Sequence, residues 1–265
     1  MPLVGETEEI ARKLLPIIYV LDTSGSMEGS RIAAVNAAMN ETMEVLKDVS
    51  NKNPTAELKI GVLQFSSGPQ WVTDELVFMD DFYWNDLKAG GLTDFGSALN
   101  ELNKKLSREW YLESPVGHKV PVIIFMSDGE PTDDYESALN KIKSNNKWFQ
   151  VATKIAIAVG DDANIQVLQK IAGNKEAVIK VDDLESLKKL IRVVSVTATM
   201  IGSKSRTEDD QTDKVISQIK QDMGDEIQDT SEPEISQENN TQDSSDSWSA
   251  QDVDDSDPWG NGSWD

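Results

Sequence analysis

The chain has 265 residues, 47 acidic against 25 basic, with no cysteine and one histidine, for a formal net charge of −22. A surplus of acid on that scale repels phosphate, which excludes non-specific binding to nucleic acid or an anionic membrane. Zero cysteines remove disulfides, thiolate metal sites and thiol nucleophiles, and a lone histidine leaves little for a His-rich metal site or a Ser-His-Asp triad. The acid is unevenly spread: residues 203–265 hold 18 acidic and 4 basic residues, a net of −14, leaving −8 for the first 202.

Nothing near the start reads as a secretory signal. The first apolar run, Leu14 to Leu21, carries Pro16 and follows Glu6, Glu8 and Glu9, the wrong charge for a signal peptide. No stretch approaches the roughly 20 apolar residues of a membrane-spanning helix. The expectation is a cytoplasmic protein with no membrane partner.

Residues 1–12 read as an N-terminal extension, and 13–202 as one folded domain. Pro16 to Leu21 is a short continuous apolar run ending in Asp22, the pattern of a buried parallel strand. Ile32, Val35, Met39, Met43, Leu46 and Val49 recur at spacings of 3 and 4, one face of a helix over 30–49. Leu58 to Phe65 reads as a second strand. Trp71 to Phe78 alternates more and reads as a neighbouring edge strand, with antiparallel pairing an open option. Phe95, Ala98, Leu99, Leu102 and Leu106 form another helical stripe. Val120 to Met126 is a strongly apolar strand, followed by a helix from about Asp134 to Asn146. Thr153 to Val159 is a strand, a helix runs on to about Ala172, Ala177 to Val181 is a short strand, and a last helix begins near Asp182. Strand and helix alternate, so the expected class is α/β, with a mostly parallel sheet and helices on both faces. Right-handed crossovers then bring the strand C-termini to one edge, where open α/β sheets bind ligands.

Beyond Gly202 the composition turns to Asp, Glu, Ser, Gln, Asn and Thr. Residues 203–265 read as a disordered acidic tail, with Lys214 to Met223 a transient helix at most. Three of the seven tryptophans, Trp248, Trp259 and Trp264, lie in its last 18 residues, each beside Asp, Ser, Pro or Gly. Repeated tryptophan in an acidic arm reads as a docking motif, against the plainer alternative of a solubilising appendage.

The chemistry sits at three strand ends. Asp22-Thr-Ser-Gly-Ser-Met27 places a carboxylate and the hydroxyls of Ser24 and Ser26 at alternate positions in a tight loop. Gly90-Gly-Leu-Thr-Asp94 sets Thr93 on a glycine-rich loop. Ser127-Asp128-Gly-Glu130 offers a second carboxylate just past a buried strand. All three loops fall on the same edge of the expected sheet and supply only oxygens, a set suited to Mg2+ or Mn2+ with waters kept in the shell.

Asp22-x-Ser24-x-Ser26, then Thr93, then Asp128 resembles the metal-ion-dependent adhesion site (MIDAS) of von Willebrand factor type A domains. The resemblance covers about residues 13–202 and implies a Rossmann-like fold. It implies that Ser24, Ser26 and Thr93 ligate the metal, with Asp22 and Asp128 acting directly or through water, and that a partner's carboxylate takes a remaining position. The short form resembles bacterial TerY-like proteins, associated with tellurium resistance, and implies a Ser/Thr kinase and a PP2C-type phosphatase as partners. The chain has no zinc ribbon, which some of those relatives carry.

Plainer readings stand beside these. Ser24 and Ser26 suit a helix N-cap, and Asp128 alone suits a turn. Glu130, Asp133 and Asp134 read as solvated or first-turn helix charges. Asp161-Asp162 reads as a helix cap, His118 as an exposed loop residue, and Trp71, Trp84, Trp110 and Trp148 as packing residues. The leading function is a non-enzymatic, metal-dependent protein-interaction module. The alternative is a phosphohydrolase of haloacid-dehalogenase type, but Ser24 stands where that family's second Asp would supply the general acid. A third reading makes the tail a regulatory arm whose own carboxylate occupies the metal.

Overall fold

Ten residues, Lys13–Asp22, form β1, and every one from Leu14 onward is buried. A strand covered on both faces has no reason to alternate, which is why this run is apolar throughout. In the computed structural model the described residues are 12–107, 109, 115–181, 183–204, 211–228 and 230. They fall within one unit spanning Met1–Glu232.

β2 (Ala56–Ser66) lies parallel to β1 on one side, with Asp22 opposite Phe65. β5 (Val122–Ser127) lies parallel on the other, with Leu21 opposite Met126. β6 (Thr153–Ala158) and β7 (Val178–Val181) continue the parallel sheet outward. Two short strands, β3 (Gly68–Trp71) and β4 (Val77–Phe78), pair antiparallel with β2, and β8 (Ile227–Gln228) pairs antiparallel with β7. The order is β3-β2-β1-β5-β6-β7-β8, with β4 also on β2. Successive parallel neighbours of β1 leave it in opposite directions, so a crevice opens at the carboxyl ends of β1 and β5.

The helices are α1 (Ser30–Asn51), α2 (Phe95–Lys105), α3 (Tyr135–Asn145), α4 (Lys147–Val151), α5 (Ile165–Ala172), α6 (Leu184–Lys204) and α7 (Gln211–Met223). α1 packs on α6 and α2 on α3. Phe95 at the start of α2 stands between Phe65 of β2 and Phe125 of β5, at ring centroid distances of 4.7 and 6.3 Å. That aromatic contact seats α2 on the sheet and thereby the loop before it.

The strand expected over Trp71–Phe78 is two pieces. Thr73 Oγ1 accepts the Val62 N–H at 3.0 Å, a side-chain bond where a ladder bond would stand, and the chain leaves the sheet before rejoining it at Val77. His118 is half-buried rather than exposed; its ring lies 4.2 Å from the Trp148 ring. Trp71, Trp84 and Trp148 pack against the core, while Trp110 lies outside the described residues.

The largest correction concerns the boundary at 202. α6 continues to Lys204, and α7 buries Val215, Ile216, Ile219 and Met223. These four share one helical face, and α6 and β6 offer the apolar surface that receives it. Averaged acidity hid a stripe too short to shift the mean. Residues 231–265, with Trp248, Trp259 and Trp264, lie outside the described residues. Ile219→Ala is expected to lower stability by about 3 kcal/mol in urea unfolding, as for other buried Ile or Leu truncations; a detached arm at this position would give almost no change.

Candidate metal centre

The residue after a buried parallel strand must turn away from the sheet, and here three such turns meet. Asp22 is the last residue of β1 and is 1 % exposed. Its Oδ1 accepts the Ser24 N–H at 2.8 Å and its Oδ2 accepts the Ser127 hydroxyl at 2.5 Å. Ser127 closes β5, level with Asp22 in the sheet register, so the bond follows from the strand pairing. Ser127 stood in the motif, but nothing in the sequence marked it as a partner of Asp22.

The first loop makes a single 3-10 turn at Gly25–Met27. Ser24 at its start makes no capping bond through its side chain. Its hydroxyl instead lies 3.0 Å from that of Ser26, which donates to Asp128 Oδ1 at 2.8 Å. The helix-cap reading of these serines therefore gives way to a contact that spans 102 residues.

The loop carrying Thr93 is stitched to the first by backbone bonds. Gly25 N–H reaches Gly91 O at 3.0 Å, and Gly90 N–H reaches Thr23 O at 2.8 Å. Thr93 is buried, and its N–H donates to Thr132 Oγ1 at 3.0 Å. Gly129 measures how tightly the third loop closes on the others. A Cβ there would lie 3.2 Å from Thr93 Oγ1 and 3.4 Å from Asp22 Oδ2.

All five expected residues, Asp22, Ser24, Ser26, Thr93 and Asp128, thus lie on three loops that meet at one edge. Among the described residues no group of three or more His, Cys, Asp or Glu side chains gathers to hold a metal. A cation site here has to combine hydroxyls with carboxylates, and these loops supply that mixture. Donors that are all oxygen fit a hard divalent cation.

Of the neighbouring acids, Glu130 is exposed and Asp134 stands at a helix start, as expected, while Asp133 acts on a different helix. Asp133 accepts the N–H groups of Gly96 and Ser97 at 2.7 and 2.8 Å, capping α2 from another loop. Asp134 caps α3 through the Ser137 N–H. Glu130 accepts from Asn164 Nδ2. Asn164, not the Asp161-Asp162 pair, caps α5. Asp162 instead accepts from Arg31 Nη2 at 2.5 Å, while Arg31 Nη1 donates to Asp128 Oδ2. Arg31 was not singled out in the sequence, where it reads as one more helix surface residue.

Against known proteins, the family model for the von Willebrand factor type A domain matches residues 17–193. Human inter-alpha-trypsin inhibitor heavy chain H6 is 27% identical over 165 residues, which is 59% of this chain and 12% of that protein. Mouse inter alpha-trypsin inhibitor heavy chain 4 is 28% identical over 168 residues, 59% of this chain and 17% of that one. The chain therefore matches only a small part of either relative's length. Among solved structures, a von Willebrand factor type A protein from Catenulispora acidiphila superposes with a TM-score of 0.52 at 20% identity, over 71% of this chain and 43% of that one. Proximal thread matrix protein 1 from the mussel byssus, solved with a zinc-occupied MIDAS motif, gives 0.52 at 20% identity, over 69% and 48%.

Burial pushes the Asp22 carboxyl above its usual range, and the Asp128 charge adds to this; hydrogen bonds from Ser127 and Ser24 oppose it. The folded chain thus keeps this proton at a pH where the unfolded chain has lost it. Stability from this group falls as pH rises from the ordinary carboxylate value, about 4, through the raised folded value. In EDTA at pH 7, Asp22→Asn is expected to melt at a higher temperature than the wild type, with the gap closing near pH 4. A calorimetric pH series checks it.

Proposed function

Because the chain belongs to the von Willebrand factor type A family, whose domains are generally metal-dependent protein-interaction modules, we propose that it binds an acidic side chain of a protein partner through a divalent cation. Asp22, Ser24, Ser26, Thr93 and Asp128 hold that cation in this proposal. The observation that carries it is the Ser26–Asp128 bond of 2.8 Å, which joins the first and third loops around an all-oxygen set. The cation supplies positive charge for an incoming carboxylate. The chain's own residues fix the donors, and the close packing of Gly129 on Thr93 keeps the site narrow.

The cation is Mg2+ or Mn2+ in this proposal, since neither nitrogen nor sulfur is among the donors. The mussel byssus protein, of similar fold and solved with a zinc-occupied MIDAS motif, supports a divalent ion in a site of this kind. The TerY-like resemblance supports a cytoplasmic setting and a Ser/Thr kinase and PP2C-type phosphatase as partners. Among the described residues no helix is long and apolar enough to cross a membrane. The hydrolase alternative has less support. Ser24 occupies the position of the general acid, and its N–H is spent on Asp22.

Titration of Mn2+, followed by the EPR signal of the free ion, tests the site. The wild type is expected to bind, and Asp22→Ala and Thr93→Ala to lose at least about tenfold in affinity. Partner capture should then fall in EDTA and with Asp22→Ala alike; capture unchanged by both would remove the metal from the interaction.

A further inference from the structure

Arg31 stands in the first turn of α1, at the positive end of the helix dipole, where a cation is locally unfavourable. No acidic residue shares that turn. A residue placed against its local preference needs a reason from tertiary structure.

That reason lies in its contacts. Nη1 donates to Asp128 Oδ2 and, at 3.3 Å, to Ser26 O; Nη2 donates to Asp162 Oδ1 at 2.5 Å. The Asp128 side chain is wholly buried, that of Arg31 is 24% exposed and that of Asp162 is 68% exposed. The guanidinium therefore bridges from the interior of the site to its rim. The loop after β6 is shaped to admit it. Gly160 has φ +92°, and a Cβ there would lie 2.7 Å from Arg31 Cζ and Nη2. A side chain there would be strained at that φ and would push the guanidinium aside.

We propose that Arg31 is a positioning residue that holds Asp128 to a single oxygen facing the cation and offsets its charge, so that the bound metal keeps a surplus for a partner's carboxylate. This rests on the metal reading above. Asp128 has two oxygens; Ser26 engages Oδ1 and Arg31 engages Oδ2. With Oδ2 committed to the guanidinium, Asp128 does not chelate an ion through both oxygens. The two buried carboxylates, Asp22 and Asp128, carry two negative charges and Arg31 offsets one; its third acidic contact, Asp162, is 68% exposed and its charge is screened by water. A divalent cation then leaves the centre net positive, and an external carboxylate is drawn to it. Without Arg31 the same ion is neutralised by the chain itself, held more tightly and less available to a partner.

The sign separates this role from simple structural support. A residue that merely braced Asp128 would, when lost, weaken the metal site. Arg31→Gln in the full chain is instead expected to bind Mn2+ roughly tenfold more tightly than wild type, from removal of a nearby like charge, even as its melting temperature falls. Arg31→Met is a second neutral variant expected to shift the same way, and Arg31→Lys, which keeps the charge, should return the affinity to near wild type. EPR titration reads the affinity and calorimetry confirms that each variant folds. Unchanged or weaker Mn2+ binding in folded Gln and Met variants overturns the role of Arg31 and leaves the metal site standing. Absence of Mn2+ binding by the wild type overturns both.

Discussion

Asp22 and Asp128 are buried together at one edge of a parallel sheet, and that placement sets the terms for their surroundings. A buried carboxylate is costly unless its oxygens are hydrogen-bonded and its charge is met. Each oxygen here has a partner: the Ser24 N–H and the Ser127 hydroxyl for Asp22, the Ser26 hydroxyl and the Arg31 guanidinium for Asp128. Arg31 supplies one positive charge for two negative ones. The remaining imbalance between the buried charges is one that a bound cation would offset.

The fold delivers this arrangement through topology rather than through local sequence. β1 sits between β2 and β5, so the chain departs from its carboxyl end in one direction and returns on the other side. The loops after β1 and β5 then face each other across the crevice. The Phe65–Phe95–Phe125 contact holds α2 against the same strands. Asp133 ties the start of α2 to the loop before α3. Three loops from distant parts of the chain are thus braced on one apolar platform, and their polar groups inherit its rigidity.

The far edge of the sheet shows how the acidic region joins the domain. β8 pairs with β7 and α7 lies against α6, so backbone groups that an edge strand would leave open are partly covered. Part of the segment that looked like a uniform acidic appendage is therefore structural. Lys189 pairs with Glu226, and Lys220 with Glu176, across this junction. Exposed pairs of this kind add little on their own; the apolar face of α7 is what holds the segment down.

The elements most legible from the residues alone were those whose signal is local. A continuous apolar run ending in Asp22, a stripe at spacings of 3 and 4, and a glycine-rich turn before Thr93 each express the geometry of one element. Five oxygen-bearing residues could be gathered to one edge because parallel strands with right-handed crossovers have only one carboxyl side. Contacts between elements left no such mark. Arg31 meets acids 97 and 131 residues away, and Asp133 caps a helix that begins 38 residues before it. The four buried residues of α7 read as a stripe only once α6 and β6 supply a surface to bury them. Periodicity records which face of an element is apolar; what that face or a charged side chain meets depends on chain crossings that bring remote residues within bonding distance.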